Sequence, residues 1–131
     1  MNNINRIYQT GTLVNAPKLA LTKTNKKAVL NLTIAIELTK ADTLFMDVKM
    51  WESSDEWDQA GALMSAEAGD VVFVVGKLGK DYRKKDKVII NATSIKLIAK
   101  KTGEVLRELD QEIEYEMIKK GIARIKYHCI G

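Results

Sequence analysis

The sequence has one cysteine, Cys129, one histidine, His128, and one proline, Pro17. Each scarcity removes a class of chemistry. A single cysteine forms no internal disulfide, and one Cys with one His cannot supply a zinc ligand set, so the chain fits a reducing, cytoplasmic compartment. With no histidine in the body of the chain, neither a Ser-His nor a Cys-His pair can be built there, and no glycine-rich phosphate loop of the P-loop kind occurs. Asp55, Glu56 and Asp58 are neighbouring carboxylates, but acids at a helix start have a sufficient structural explanation. The expectation is a protein that is not an enzyme and takes no cofactor and no metal. Long apolar runs are missing too. The longest, Val71 to Val75, is far short of the about 20 residues that cross a bilayer, and no N-terminal signal pattern is present, so no membrane insertion is expected.

What remains is 131 residues, enough for one domain with a core plus an appendage. The 21 Lys and Arg outnumber the 17 Asp and Glu, for a net charge of +4 and a pI near 9.1. The excess is compatible with a polyanionic partner and does not by itself identify one.

Apolar alternation organises the first hundred residues. Asn5 to Leu13 is rich in β-formers, and its internal Gly11 suggests a bulge or a bend at a barrel corner. Pro17 punctuates the chain before Leu19 to Thr24, and Lys23 to Lys27 reads as a polar hairpin tip. From Ala28 to Leu38, the residues Leu30, Leu32, Ile34, Ile36 and Leu38 recur at period two, the clearest strand in the chain. After a polar connection from Thr39 to Asp42, Thr43 to Trp51 sets Leu44, Met46, Val48 and Met50 inward and Phe45, Asp47, Lys49 and Trp51 outward. Ser53 or Ser54 then starts a helix of roughly three turns that Gly69 ends, with Trp57 expected in the core. Asp70 to Leu78 is a buried-type strand, Gly79 to Lys87 a charged arm, and Val88 to Ile98 the last strand.

Three strands, a helix, then two strands is the order of a mainly β, five-stranded Greek-key barrel with a helix between strands three and four, the oligonucleotide/oligosaccharide-binding (OB) fold. Residues 1–99 are assigned to this domain and residues 100–131 to a C-terminal helical extension. In that extension Glu104 to Lys120 is amphipathic, with Leu106, Leu109, Ile113 and Met117 on one stripe and Gly121 as a stop.

In an OB fold the ligand surface is the outer face of strands two and three, flanked by two loops. Both loops are basic here: Lys23, Lys26 and Lys27 in one, and Lys80, Arg83, Lys84, Lys85 and Lys87 in the other. One charged loop is ordinarily a solvated loop; two beside an aromatic strand face point to function. Phe45 and Trp51 flank Lys49 on that face, and Tyr82 is within reach from the second loop. Flat rings stack unpaired bases for about 1–3 kcal/mol each while cations offset phosphates. The competing reading is that the two rings pack under the helix or against another chain. Asp47 is repulsive on a face that tracks phosphates, and its expected partner is Lys49 or a loop lysine.

The run from Ile4 through Gly11, Leu13 and Pro17, the stretch AVLNLTIA from Ala28 to Ala35, the aromatic strand, and GDVVFVVGKL from Gly69 to Leu78 together resemble the bacterial and phage single-stranded DNA-binding protein family. The resemblance covers about residues 1 to 98. It implies base stacking at Phe45, Trp51 and a position near Tyr82, a basic contact at Arg6, and roles in DNA replication, recombination and repair. It also implies a homo-oligomer, dimer or tetramer, joined through a sheet face that includes Phe73, with Val75 beside it. The aromatic that the family often has after its second strand is not evident in Glu37 to Lys40, and the chain ends RIKYHCIG rather than in an acidic recruitment tail. Two alternatives stand beside single-stranded DNA: an OB-fold protein-interaction or replication-accessory module, and RNA.

Overall fold

The computed structural model describes residues 3–24, 26–81, 83–84 and 86–119. Its strands are β1 (Ile7–Leu13), β2 (Lys18–Leu21), β3 (Ala28–Thr39), β4 (Asp42–Trp51), β5 (Val71–Lys80) and β6 (Val88–Ala99). A 3-10 turn (Trp57–Gln59) runs into α1 (Ala60–Leu63), and α2 (Leu109–Lys119) follows β6. The sheet order is β1-β5-β6-β4-β3-β2, and pairing of Thr12 with Ala35 and Leu13 with Ile34 joins β1 to β3. That pairing closes a barrel of β1, β3, β4, β6 and β5, antiparallel throughout except between β4 and β6. The expected five-stranded topology is therefore present, with its helical element between the third and fourth barrel strands. β2, not counted among the expected strands, lies on the outer edge of β3 and forms the hairpin that carries Lys23 and Lys27.

The period-two residues fill the barrel. Leu30, Leu32, Ile34, Val48, Met50, Val72, Val74, Ile90 and Ile95 form one core, and Ala60, Leu63 and Ala66 plug one end. Gly11 is needed where the wall closes, because a Cβ there would stand 2.7 Å from Cβ of Ile34. The inward series of β4 runs out at Leu44, which is exposed, as is Leu38 of β3. There the β3-β4 hairpin extends past the barrel as a two-stranded ribbon, since β6 pairs with β4 only at Val48 and Lys49.

The helix between β4 and β5 is shorter than its composition suggests. Ser54 donates its hydroxyl to the Ala92 carbonyl of β6 rather than capping a helix, and no side chain caps the turn that begins after Glu56. Gly61 adds a further cost of about 1 kcal/mol to helix propagation. Gln59 instead accepts from the Ile95 amide at 3.1 Å, so this segment serves as a plug tied to β6. Trp57 packs against the core from the same turn, in its expected place.

α2 begins five residues later than the expected Glu104, because Val105 bridges to Ala99 and the Leu106 amide donates to Ile98, prolonging the β6 edge. Lys120 and Gly121, the expected end and stop, lie outside the described residues. Leu109 and Ile113 of α2 cover Phe73, Val75 and Ile98 on the outside of the sheet, and Lys96 pairs with Glu112 beside them at 2.8 Å. Phe73 and Val75 are each 2% exposed within the single chain. The resemblance implies an oligomer interface at this sheet face; within the single chain α2 covers it.

The root of this extension is fastened by Asp70, which is fully buried. Its carboxylate accepts from the Glu67 amide at 2.9 Å, the Lys101 amide at 2.8 Å and the Lys100 ammonium at 2.9 Å. The Glu67 amide foremost, with Lys100 and the Lys101 amide, lowers its pKa to about 2 against the burial that would raise it.

Candidate nucleic-acid interface

Trp51 ends β4 opposite Val29, and its half-buried ring lies in a groove of about 400 Å³. Leu21, Lys23, Asn31, Lys49 and Arg83 share the lining. Four elements meet here: β2 and its turn, β3, β4, and the arm between β5 and β6. The β2-β3 turn holds its shape through the Lys27 amide, which donates to the Thr22 hydroxyl oxygen at 3.1 Å, through the Lys26 amide, which donates to the Thr22 carbonyl at 3.0 Å, and through Lys26 at φ 52°. Lys26 and Lys27 are exposed on that turn.

The expected aromatic platform is not continuous. Trp51 lies six positions beyond Phe45 along β4, about 20 Å at strand rise. Phe45, 64% exposed, pairs with Ala35 at the base of the β3-β4 ribbon, on the part of β4 that β6 does not reach, outside the Trp51 groove. Of the remaining expected residues, Lys49 and Arg83 meet Trp51, and Lys80 and Lys84 are exposed on the arm. Arg6 precedes β1, on the far side of the barrel from β4. Tyr82 and Lys85 lie outside the described residues.

Asp47 has a definite partner set. Its carboxylate pairs with the Lys87 ammonium at the root of the arm and accepts the Thr33 hydroxyl from β3 at 2.8 Å. The Lys87 bond foremost, then Thr33, holds the carboxyl below the usual aspartate range against partial burial, and Asp47 in turn raises the Lys87 pKa. The expected partners were Lys49 or a loop lysine; the pair is with the loop lysine, 40 residues away in sequence. Asp81, at the start of the arm, accepts from the Arg83 amide at 2.9 Å, which lowers its pKa and fixes the turn. The two acids nearest the face are thus engaged with the arm rather than directed at a ligand.

A second, polar cleft of about 200 Å³ adjoins the groove, lined by Asn15, Lys18, Asn31, Asp47, Lys49 and Asp81. Lys18 and Leu21 were missing from the sequence-based site because β2 was not recognised as a paired strand. The signal available was the KLAL stretch beside a hairpin tip. Among the described residues no cluster of His, Cys, Asp and Glu is fit to hold a metal ion, and no helix is long and apolar enough to cross a membrane.

No family model and no curated protein matches the chain. Solved structures do. The single-stranded DNA-binding protein of Thermus aquaticus is 24% identical, with a TM-score of 0.56 over 72% of this chain and 40% of that one. The SSB domain of a Synechococcus sp. protein is 18% identical, with a TM-score of 0.56 over 72% of this chain and 97% of that one. The second single-stranded DNA-binding protein, SSBb, of Mycobacterium smegmatis is 19% identical, with a TM-score of 0.54 over 71% of this chain and 87% of that one. This chain thus matches less than half the length of the Thermus aquaticus protein. With the strand order and the β1-β3 closure, these likenesses establish the OB fold, in the form that these single-stranded DNA-binding proteins share.

Proposed function

We propose that this protein binds single-stranded DNA with little sequence preference and without catalysis, holding strands exposed in replication, recombination or repair. One observation carries the reading: the Trp51 ring lies in a groove whose rim holds Lys23, Lys49 and Arg83 from three separate elements. A flat ring ringed by cations suits an unpaired base with its phosphates. Phe45 offers a second, separate stacking surface on the ribbon. The similar solved proteins bind single-stranded DNA by name, which agrees with this reading. Assembly through Phe73 and Val75 would require α2 to leave the sheet face it covers.

Titration with oligo-dT should quench tryptophan fluorescence, and log K should fall with log salt by about 0.7 per phosphate contacted. Trp51→Ala should weaken binding about 5- to 150-fold, the equivalent of about 1–3 kcal/mol of stacking, with the barrel intact by circular dichroism. Absence of quenching and of a mobility shift at low salt would overturn the proposal.

A further inference from the structure

One row of the strand register crosses the outer surface of the barrel. Lys18 of β2 stands opposite Asn31 of β3, Asn31 opposite Lys49 of β4, Lys49 opposite Asn91 of β6, and Asn91 opposite Lys77 of β5. Cation and amide alternate over five adjacent strands. The neighbours of these residues along β3, β4 and β6, such as Leu32, Val48 and Ile90, point into the core, so the row projects outward. At about 4.8 Å between strands it runs about 19 Å around the wall. Arg6 continues it: Ile7 pairs with Gly76, which places the preceding residue beside Lys77.

Three observations bear on this row. Lys18, Lys49 and Lys77 form no ion pair within 4.0 Å, although Lys49 lies near enough to Asp47 and Asp81 to help lower both carboxyls, and the side-chain amides of Asn31 and Asn91 have no hydrogen-bond partner in the protein, among the described residues, so all five are open to a ligand. The Asn91 amide occupies space that a side chain on β5 would take, since a Cβ at Gly79 would stand 2.4 Å from its Nδ2. Asn31 and Lys49 line both the Trp51 groove and the adjoining polar cleft, so the row is continuous with the stacking site.

We infer that this row is the track on which a single DNA strand crosses the barrel, leading from the Trp51 groove toward Arg6. The inference rests on the single-stranded DNA reading above and extends its site to Lys18, Asn31, Asn91 and Lys77. Lysines spaced two strands apart meet phosphates. The amides between them each offer donors and an acceptor, a pairing that some edge of every base can satisfy, so the contact tolerates any sequence.

The test is oligo-dT titration over a range of salt with Lys77→Ala, the Lys18→Ala/Lys77→Ala pair, Asn91→Ala and Gly79→Ala. Lys101→Ala, beyond the far end of β6, is the control. The salt slope should shrink by about 0.7 for Lys77→Ala and about 1.4 for the pair, and stay unchanged for Lys101→Ala. Asn91→Ala should weaken binding about three- to tenfold at every salt concentration with the slope intact, and Gly79→Ala should do the same by displacing the amide. If the unmodified protein binds and Trp51→Ala weakens it while the Lys77 and Asn91 variants keep its affinity and slope, the track is overturned and the single-stranded DNA reading stands. If the unmodified protein does not bind, both fall.

Discussion

Asp47→Asn should make this protein bind single-stranded DNA more tightly, an uncommon direction for a substitution in a binding surface. The carboxylate sits on the outer face of β4, two residues from Lys49 and in the same cleft. A phosphate drawn to Lys49 would pass at about 7 Å, where two like charges in water repel by about 0.6 kcal/mol, or about threefold in affinity for each phosphate. Salt at about 0.1 M, with a Debye length of about 10 Å, reduces but does not abolish this. The same single change in charge frees the Lys87 ammonium from its ion pair, so that it can meet a phosphate at the root of the arm. Asparagine keeps an oxygen to accept the Thr33 hydroxyl, so the β3-β4 contact survives. Because Asp47 and Lys87 are each more than a third exposed or close to it, losing the pair should cost under about 1 kcal/mol of stability. Oligo-dT titration at low salt should therefore show a three- to tenfold gain with a salt slope steeper by about 0.7, and thermal melting should show little change. Weaker binding by a fully folded variant would refute this reasoning. It would mean that Asp47 acts by aiming the arm, and that its charge is not the deciding quantity.

Three further outcomes concern the scaffold. Asp70→Asn should destabilise the fold by about 2–4 kcal/mol in urea titrations, because it weakens bonds to two backbone amides and leaves Lys100 without its anion. In the unmodified protein the Asp70 contribution should be complete above about pH 4 and be lost as pH falls toward its folded pKa of about 2, and the variant should lack this component of the acid transition. Ile113→Asp should lift α2 from Phe73 and Val75, lowering the melting temperature and producing concentration-dependent association in sedimentation experiments, whereas Ile118→Asp, on the exposed side of α2, should do neither. Gly11→Ala should cost about 1–3 kcal/mol by forcing Ile34 from its place at the barrel closure, measured by denaturant unfolding.

Local pattern was enough to recover the barrel. Alternation at period two marks which face of a strand is apolar whatever it pairs with, so Leu30, Leu32, Ile34, Val48 and Met50 were assignable to the core from sequence, and so was the strand order that names the fold. The groove was partly legible for the same reason: Trp51 and Lys49 share a face because they are two residues apart on one strand. Where local signals competed with tertiary bonds, the sequence misled. Ser54 looks like a helix cap and is spent on the Ala92 carbonyl, and Val105 looks helical and is held as an extension of β6.

Whatever depends on two distant segments meeting was decided by the tertiary structure. The alternation in β5 shows that Phe73 and Val75 form an apolar outer face, but only the path of the chain after Ala99 shows that α2 covers it. Asp47 was an anomaly as one letter in a strand and becomes intelligible once Lys87 is brought to it. The Lys-Asn row is the furthest case, since its five members come from five strands and no stretch of sequence contains two of them. Side-chain direction along a strand is set by backbone geometry residue by residue, whereas alignment between strands is set by register, which closes only when the whole barrel does.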